Sequence, residues 1–142
     1  MNILLNINDI FIENIFLMDR VRNTVLENSD FTKIIYSNEF VGLNGIYLKI
    51  VFTNYKIDYF NNKIKYNLNN ESNHNIIEKL CTIEKNILNY YNKNINHQYN
   101  LQKQLHNGIY KCNINDNKLF VILKISGIWQ NQNCCGLTFK FI

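Results

Sequence analysis

Proline is absent from the 142 residues and glycine occurs five times. No proline-rich linker divides the chain, and a sequence of this length buries roughly two thirds of its unfolded surface without disulfides or metals. One hydrophobic core is therefore expected, with residues 1–142 as a single domain and residues 1–30 as an N-terminal extension of ambiguous pattern. The four cysteines, Cys81, Cys112, Cys134 and Cys135, contain no C-x-x-C, and the vicinal pair cannot close an ordinary disulfide loop. His74, His97 and His106 add no pair at ligand spacing, so neither a metal nor any other cofactor is expected. No apolar run approaches the twenty or so residues of a membrane helix. The opening Met1-Asn2-Ile3-Leu4-Leu5-Asn6 is too interrupted by asparagine to read as a secretory segment. The expectation is an intracellular protein with reduced thiols and no membrane partner. Catalytic signatures are missing as well: there is no G-x-S-x-G, P-loop, H-E-x-x-H or G-x-G-x-x-G, and the carboxylates are scattered. No catalytic residue is nominated, and a non-enzymatic role is expected.

What is abundant points to sheet. Hydrophobic residues make up 46% of the chain and include nine Tyr, nine Phe and one Trp, types that favour strands. Asparagine fills about a fifth of the positions, and Ile and Lys are also heavily used, a bias that fits an AT-rich genome. The asparagines interrupt periodic apolar segments rather than forming polar tracts, so the composition is not prion-like. Charge is divided unevenly. Met1 to Gly45 carry a net −3, whereas Ile46 to Ile142 carry +7, every cation there a lysine. The positive potential belongs to the part of the chain where the clearest strands lie.

The segment before Ser37 fits a helix loosely and strand pieces at Ile10–Ile12 and Ile15–Leu17 better, followed by a strand from Phe31 to Tyr36. Gly42 and Gly45 flank a turn, and Ile46 to Thr53 alternates Ile46, Leu48, Ile50 and Phe52 against Tyr47, Lys49, Val51 and Thr53. Asn61-Asn62 between two alternating runs predicts a two-residue hairpin, because asparagine tolerates the positive φ of a type I′ turn. Counting outward pairs Phe60 with Lys63, Tyr59 with Ile64, Asp58 with Lys65, Ile57 with Tyr66 and Lys56 with Asn67. One face, Tyr55, Ile57, Tyr59, Ile64, Tyr66 and Leu68, is then expected to be core, and the other, with Lys56, Phe60, Lys63 and Lys65, basic.

Ser72 or Asn73 caps an amphipathic helix of about four to five turns whose apolar stripe is Ile76, Ile77, Leu80, Ile83, Ile87, Leu88 and Tyr91. Glu78, Lys79, Glu84, Lys85 and Asn89 fall on its polar side, and Asn92 to Leu105 reads as a long loop. Ile109 to Ile114 is a strand, Asn115–Asn117 a turn, and Leu119 to Ile125 an apolar strand. That strand breaks at Ser126-Gly127 and resumes at Ile128-Trp129, and after a turn at Asn131–Asn133 the last strand runs from Leu137 to Ile142. Strands, one packed helix and more strands make an α+β fold, mainly β. The order suits a small antiparallel Greek-key barrel of the OB kind with its amphipathic helix inserted between strands.

Lysines interleaved with aromatics are the remaining signal. Lys49, Lys56, Lys63, Lys65, Lys111, Lys124 and Lys140 fall on predicted strands, while Phe60 and Trp129 sit where a ring can stack on a base. Single-stranded nucleic acid is held by this combination, cations tracking phosphates and rings stacking on bases. Solvated strand lysines that discourage edge pairing give the same pattern.

Ile122-Leu123-Lys124-Ile125-Ser126-Gly127-Ile128-Trp129 and Gly136-Leu137-Thr138-Phe139-Lys140-Phe141 resemble the C-terminal signature of small proteins from large nucleocytoplasmic DNA viruses. Phe40 to Leu48 and the helix around Ile83–Leu88 are similar to the same group, and the resemblance spans Phe31 to Ile142. The group is that of single-stranded-DNA-binding proteins of the phage replication type, which have OB folds. The resemblance implies coating of single-stranded DNA in viral replication or recombination, in the host cytoplasm or nucleus, with replication proteins as further partners. It also implies a C-terminal aromatic, Phe139 or Phe141, at the binding groove. The phage-type proteins carry a long acidic tail, whereas this sequence closes on Lys140-Phe141-Ile142. The alternative is a viral structural or host-interaction protein that forms homo-oligomers through exposed strand edges.

Overall fold

The computed structural model describes residues 3–38, 42–110 and 112–142. In chain order the strands are β1 (Leu5–Asn6), β2 (Ile15–Leu17), β3 (Val21–Arg22), β4 (Asp30–Ser37), β5 (Gly42–Leu43), β6 (Ile46–Phe52), β7 (Lys56–Phe60) and β8 (Lys63–Asn67). Helix α1 (His74–Asn92), β9 (Asn96–Gln98), helix α2 (Asn100–Asn107), β10 (Asn113–Asn115), β11 (Lys118–Gln130) and β12 (Cys134–Phe141) follow. The fold is α+β and mainly β, with α1 between strands as expected.

β11, thirteen residues long, organises the sheet, because it has strand partners along both edges. On one edge β6 pairs with Leu119–Ile125 and β4 with Gly127–Gln130; on the other lie β10 and β12. The expected break at Ser126-Gly127 is a β-bulge inside a continuous strand, at the point where β11 exchanges β6 for β4 as neighbour. β4 leaves β11 after Lys33, pairs with β2 and β5, and the chain returns at Ile46 through Gly45, whose φ of +99° is open to glycine.

The main path runs β1-β6-β11-β12-β9. Its outermost strands do not pair with each other, so the sheet is not closed among the described residues. It is also mixed rather than purely antiparallel, since β1 joins β6 and β9 joins β12 in parallel. These are edge strands of two and three residues, too short for their direction to leave a sequence signal.

Alternation fills the core. Leu119, Val121, Leu123 and Ile125 of β11, Ile46, Leu48, Ile50 and Phe52 of β6, and Leu137 and Phe141 of β12 are buried together with Ile77, Leu80, Ile87 and Leu88 of α1. Asn73 occupies the N-cap position of α1, but its side chain makes no capping bond. It is fully buried, accepting from the Thr53 amide at 3.1 Å and donating to the Asn54 and Leu68 carbonyls, which ties the start of α1 to the ends of β6 and β8.

Two expectations around α1 are corrected. Asn92–Leu105 is not a long loop but holds β9 and the eight-residue α2. Glu84 is not on a solvated side: it is fully buried and accepts from the Leu101 amide at 2.9 Å and the Gln102 amide at 3.1 Å. α2 makes no side-chain cap bond of its own, so the carboxylate that satisfies its first turn comes from α1, and no local pattern announces it.

The hairpin has the predicted register from Lys56–Asn67 to Phe60–Lys63, with φ of +48° at Asn61 and +62° at Asn62. Its apolar face is core only at the base, where Leu68 is buried and Tyr55 and Tyr66 are half-buried. Towards the tip Ile57, Tyr59 and Ile64 are exposed, because β7 and β8 form a separate two-stranded sheet joined to the body by Tyr66 and Ile109, whose amides and carbonyls exchange bonds of 2.8 and 3.0 Å. Ile109 makes that isolated contact, and the strand expected from it begins only at Asn113. Near the N-terminus Ile15–Leu17 is a strand, whereas Ile12 starts a 3₁₀ turn. The segment is pinned by Tyr36, whose hydroxyl accepts from the Phe11 amide at 3.1 Å and donates to the Asp9 carbonyl at 3.0 Å.

Glu84→Ala leaves two amides without their acceptor and is expected to cost about 2–4 kcal/mol in urea unfolding. Burial pushes the Glu84 carboxyl above its ordinary range, and the Leu101 and Gln102 amides offset this only in part. The folded chain then binds that proton more tightly than the unfolded chain, so this group adds stability as pH falls from neutral through its raised pKa towards the ordinary carboxyl value. Glu84→Gln should remove this component, flattening the rise of the urea midpoint as pH falls from neutral. Gly127→Ala places a Cβ 2.3 Å from the Thr32 carbonyl oxygen. It is expected to destabilise by about 1–3 kcal/mol or more, read in the same unfolding curves.

Candidate nucleic-acid interface

A period of two sends every second residue away from the core. In β6 these are Tyr47, Lys49 and Val51, and in β11 Phe120, Ile122 and Lys124. Helices α1 and α2 pack with the buried set, so these residues form the side of the sheet turned away from them. The register assembles them into rows. Lys124 stands between Tyr47 of β6 and Lys140 of β12. Lys49 lies beside Ile122 in the adjacent row. On the other side of the bulge Gly127 lies between Lys33 of β4 and Thr138 of β12, and Trp129 between Phe31 and Gly136.

Two of the cations on this face are held close to rings. The Lys49 ammonium lies 5.8 Å from the Phe120 ring centre and the Lys124 ammonium 5.5 Å from that of Tyr47. At this spacing the attraction of ring quadrupole for cation is significant. The two glycines seat the other two rings: a Cβ on Gly127 would meet the Phe31 ring at 2.5 Å, and one on Gly136 the Trp129 ring at 2.7 Å. Phe31 and Trp129 are thus folded down across glycine backbone and remain half-buried rather than enclosed. β6, β11 and β12 contain no acidic residue, so nothing on these three strands neutralises Lys49, Lys124 and Lys140.

Of the residues expected from sequence, Lys49, Lys124, Trp129 and Lys140 share this face. Lys56, Lys63 and Lys65 do not: they lie on the separate hairpin, Lys56 and Lys63 exposed and Lys65 half-buried against the Gly108 backbone. Phe60 is opposite Lys63 on that hairpin, but its side chain, like Lys111, lies outside the described residues. Phe139 pairs with the inward Ile125 and packs edge-on against Phe141 at 6.1 Å, so it belongs to the opposite side from Lys140. The hairpin and the sheet meet at Tyr110. Its ring centre is 6.0 Å from the Lys63 ammonium, and it lines a cavity of about 300 Å³ with Gln104, Phe139, Lys140 and Phe141.

Sequence reasoning missed Lys33, Phe31, Tyr47 and Phe120. The alternation in β6 placed Tyr47 beside Lys49, which was sufficient to nominate it. Phe31 and Lys33 needed the knowledge that β4 joins β11 beyond the bulge, which is non-local.

Burial and the neighbouring Cys134 push the Cys135 thiol up to about 11, and burial raises Cys81 and Cys112. A thiol so shifted is protonated at neutral pH and is a poor nucleophile or metal ligand. Among the described residues no three His, Cys, Asp or Glu side chains are grouped to hold a metal ion, and no helix is long and apolar enough to cross a membrane. Comparison of the chain with protein-family models, with curated proteins and with solved structures finds no match.

Proposed function

We propose that the protein is a non-enzymatic single-stranded-DNA-binding protein that lays the strand across the outer side of β4, β6, β11 and β12. The observation that carries this reading is the Tyr47–Lys124–Lys140 row, which continues past Lys33 to the Phe31–Trp129 row on the same side. Ammonium groups there meet phosphates, and rings folded onto glycine offer a stacking face that suits any base, at about 1–3 kcal/mol per stacked base. The resemblance of Ile122–Trp129 and Gly136–Phe141 to viral single-strand binders supports the same reading and suggests replication or recombination as its setting. An OB-like barrel belongs to the proposal, supported by the five strands on the main path of a ten-stranded sheet that is not closed among the described residues.

A second reading, self-association as a structural or host-interaction protein, is favoured by the exposed apolar hairpin tip at Ile57, Tyr59 and Ile64. Sedimentation of the purified chain separates the two, since a strict monomer leaves the hairpin reading without support.

For single strands each neutralised phosphate contributes about 0.7 to the slope of log affinity against log salt. Lys124→Gln with Lys140→Gln should therefore flatten that slope by about 1.4 in titrations of fluorescent oligo-dT. Trp129 is the single tryptophan, and its emission should be quenched on binding. Absence of binding by the unmodified chain at low salt would overturn the reading.

A further inference from the structure

Beyond Phe31 the aromatic row ends at Val21 of β3, and the chain from Asn23 to Ser29 arches beside it. This loop is tied by its own bonds: the Asn23 side-chain oxygen accepts from the Val25 amide at 2.9 Å and the Leu26 amide at 3.3 Å, and the Asn23 amide donates to the Ser29 carbonyl at 2.9 Å. Ser29 is buried and donates to the Leu26 carbonyl at 2.9 Å. The loop is thereby set with Val25 87% and Leu26 46% exposed. Together with Val21, Arg22, Phe31 and Thr138 they line a largely apolar cavity of about 360 Å³.

Resting on the single-strand reading above, we infer that this cavity receives one unpaired nucleobase of the bound strand, at the end of the track. Three features argue for a base as occupant. The cavity adjoins the outer side of the sheet through Phe31, which pairs with Trp129, and Thr138, which pairs with Gly127, so a strand stacked on those rings reaches its mouth. Val21, Val25, Leu26 and Phe31 give it mostly apolar walls beside the polar Asn23, Thr24 and Thr138, a lining that can take up the face and the polar edge of a flat heterocycle, and its volume is near the lower end of the range for small-ligand sites. Arg22 in the lining supplies a guanidinium that can meet the phosphate of the same nucleotide or stack on its base. The site gives the track a defined terminus, where the lysine rows alone would hold a strand in many registers.

Val25→Ala with Leu26→Ala tests this without disturbing the core, because both side chains are exposed. Affinity for oligo-dT is expected to fall roughly five- to hundredfold, the loss of about one base contact, with an unchanged salt slope because no phosphate contact is removed. In the unmodified protein, walking a single abasic residue along the oligonucleotide should find one position that costs a similar factor, and that position should lose its effect in the double variant. Full affinity in the variant with a uniform abasic scan, while the unmodified chain binds with steep salt dependence, would overturn the base site and leave the sheet interface standing. No binding by the unmodified chain would overturn both.

Discussion

At Gly127 the Thr32 carbonyl oxygen comes within 2.3 Å of the point where a Cβ would stand, and the Phe31 ring fills the same space from the other side. That absence of a side chain lets β11 bulge, release β6 and accept β4 without losing its place at the centre of the sheet. The second half of β4, Ile34 to Ser37, which pairs with β2 and β5, hangs from this exchange of partners. The position of Phe31 over the strand is a direct consequence. A larger residue at 127 would displace both the backbone pairing and the ring, so the sheet's continuity and the shape of its outer side depend on the same missing methyl group.

The helices are attached by buried polar groups as much as by apolar contact. Asn73 anchors the start of α1 to Thr53, Asn54 and Leu68, and Glu84 near its middle holds the first turn of α2. A buried polar group is tolerated when its hydrogen bonds are made. Among the described residues no buried side-chain nitrogen or oxygen lacks a partner, which is how two fully buried hydrophilic residues coexist with an otherwise apolar core.

These two residues also mark where sequence reading reached its limit. Periodicity located α1 and its apolar stripe, and the Asn61-Asn62 turn fixed the hairpin register residue by residue, because each signal is local. Glu84 could not be placed from its own neighbours, since its burial is decided by the amides of Leu101 and Gln102, 17 and 18 residues further along the chain. The hairpin's tip misled for the related reason that alternation shows which residues share a side but not whether anything packs against it. On the candidate interface, Lys124 and Lys140 could be associated from the closing strands alone. Adding Lys33 and Phe31 required the long-range pairing of β4.

The direct opposition of Lys124 and Lys140 has a thermodynamic consequence of its own. Like charges facing each other across neighbouring strands repel and weaken the pairing they sit on. The cost falls on the β11–β12 ladder. Tyr47 softens it for the Lys124 ammonium by offering its ring at 5.5 Å. An anion lodged between the two would convert mutual repulsion into a shared attraction, and the β11–β12 ladder would gain stability from it.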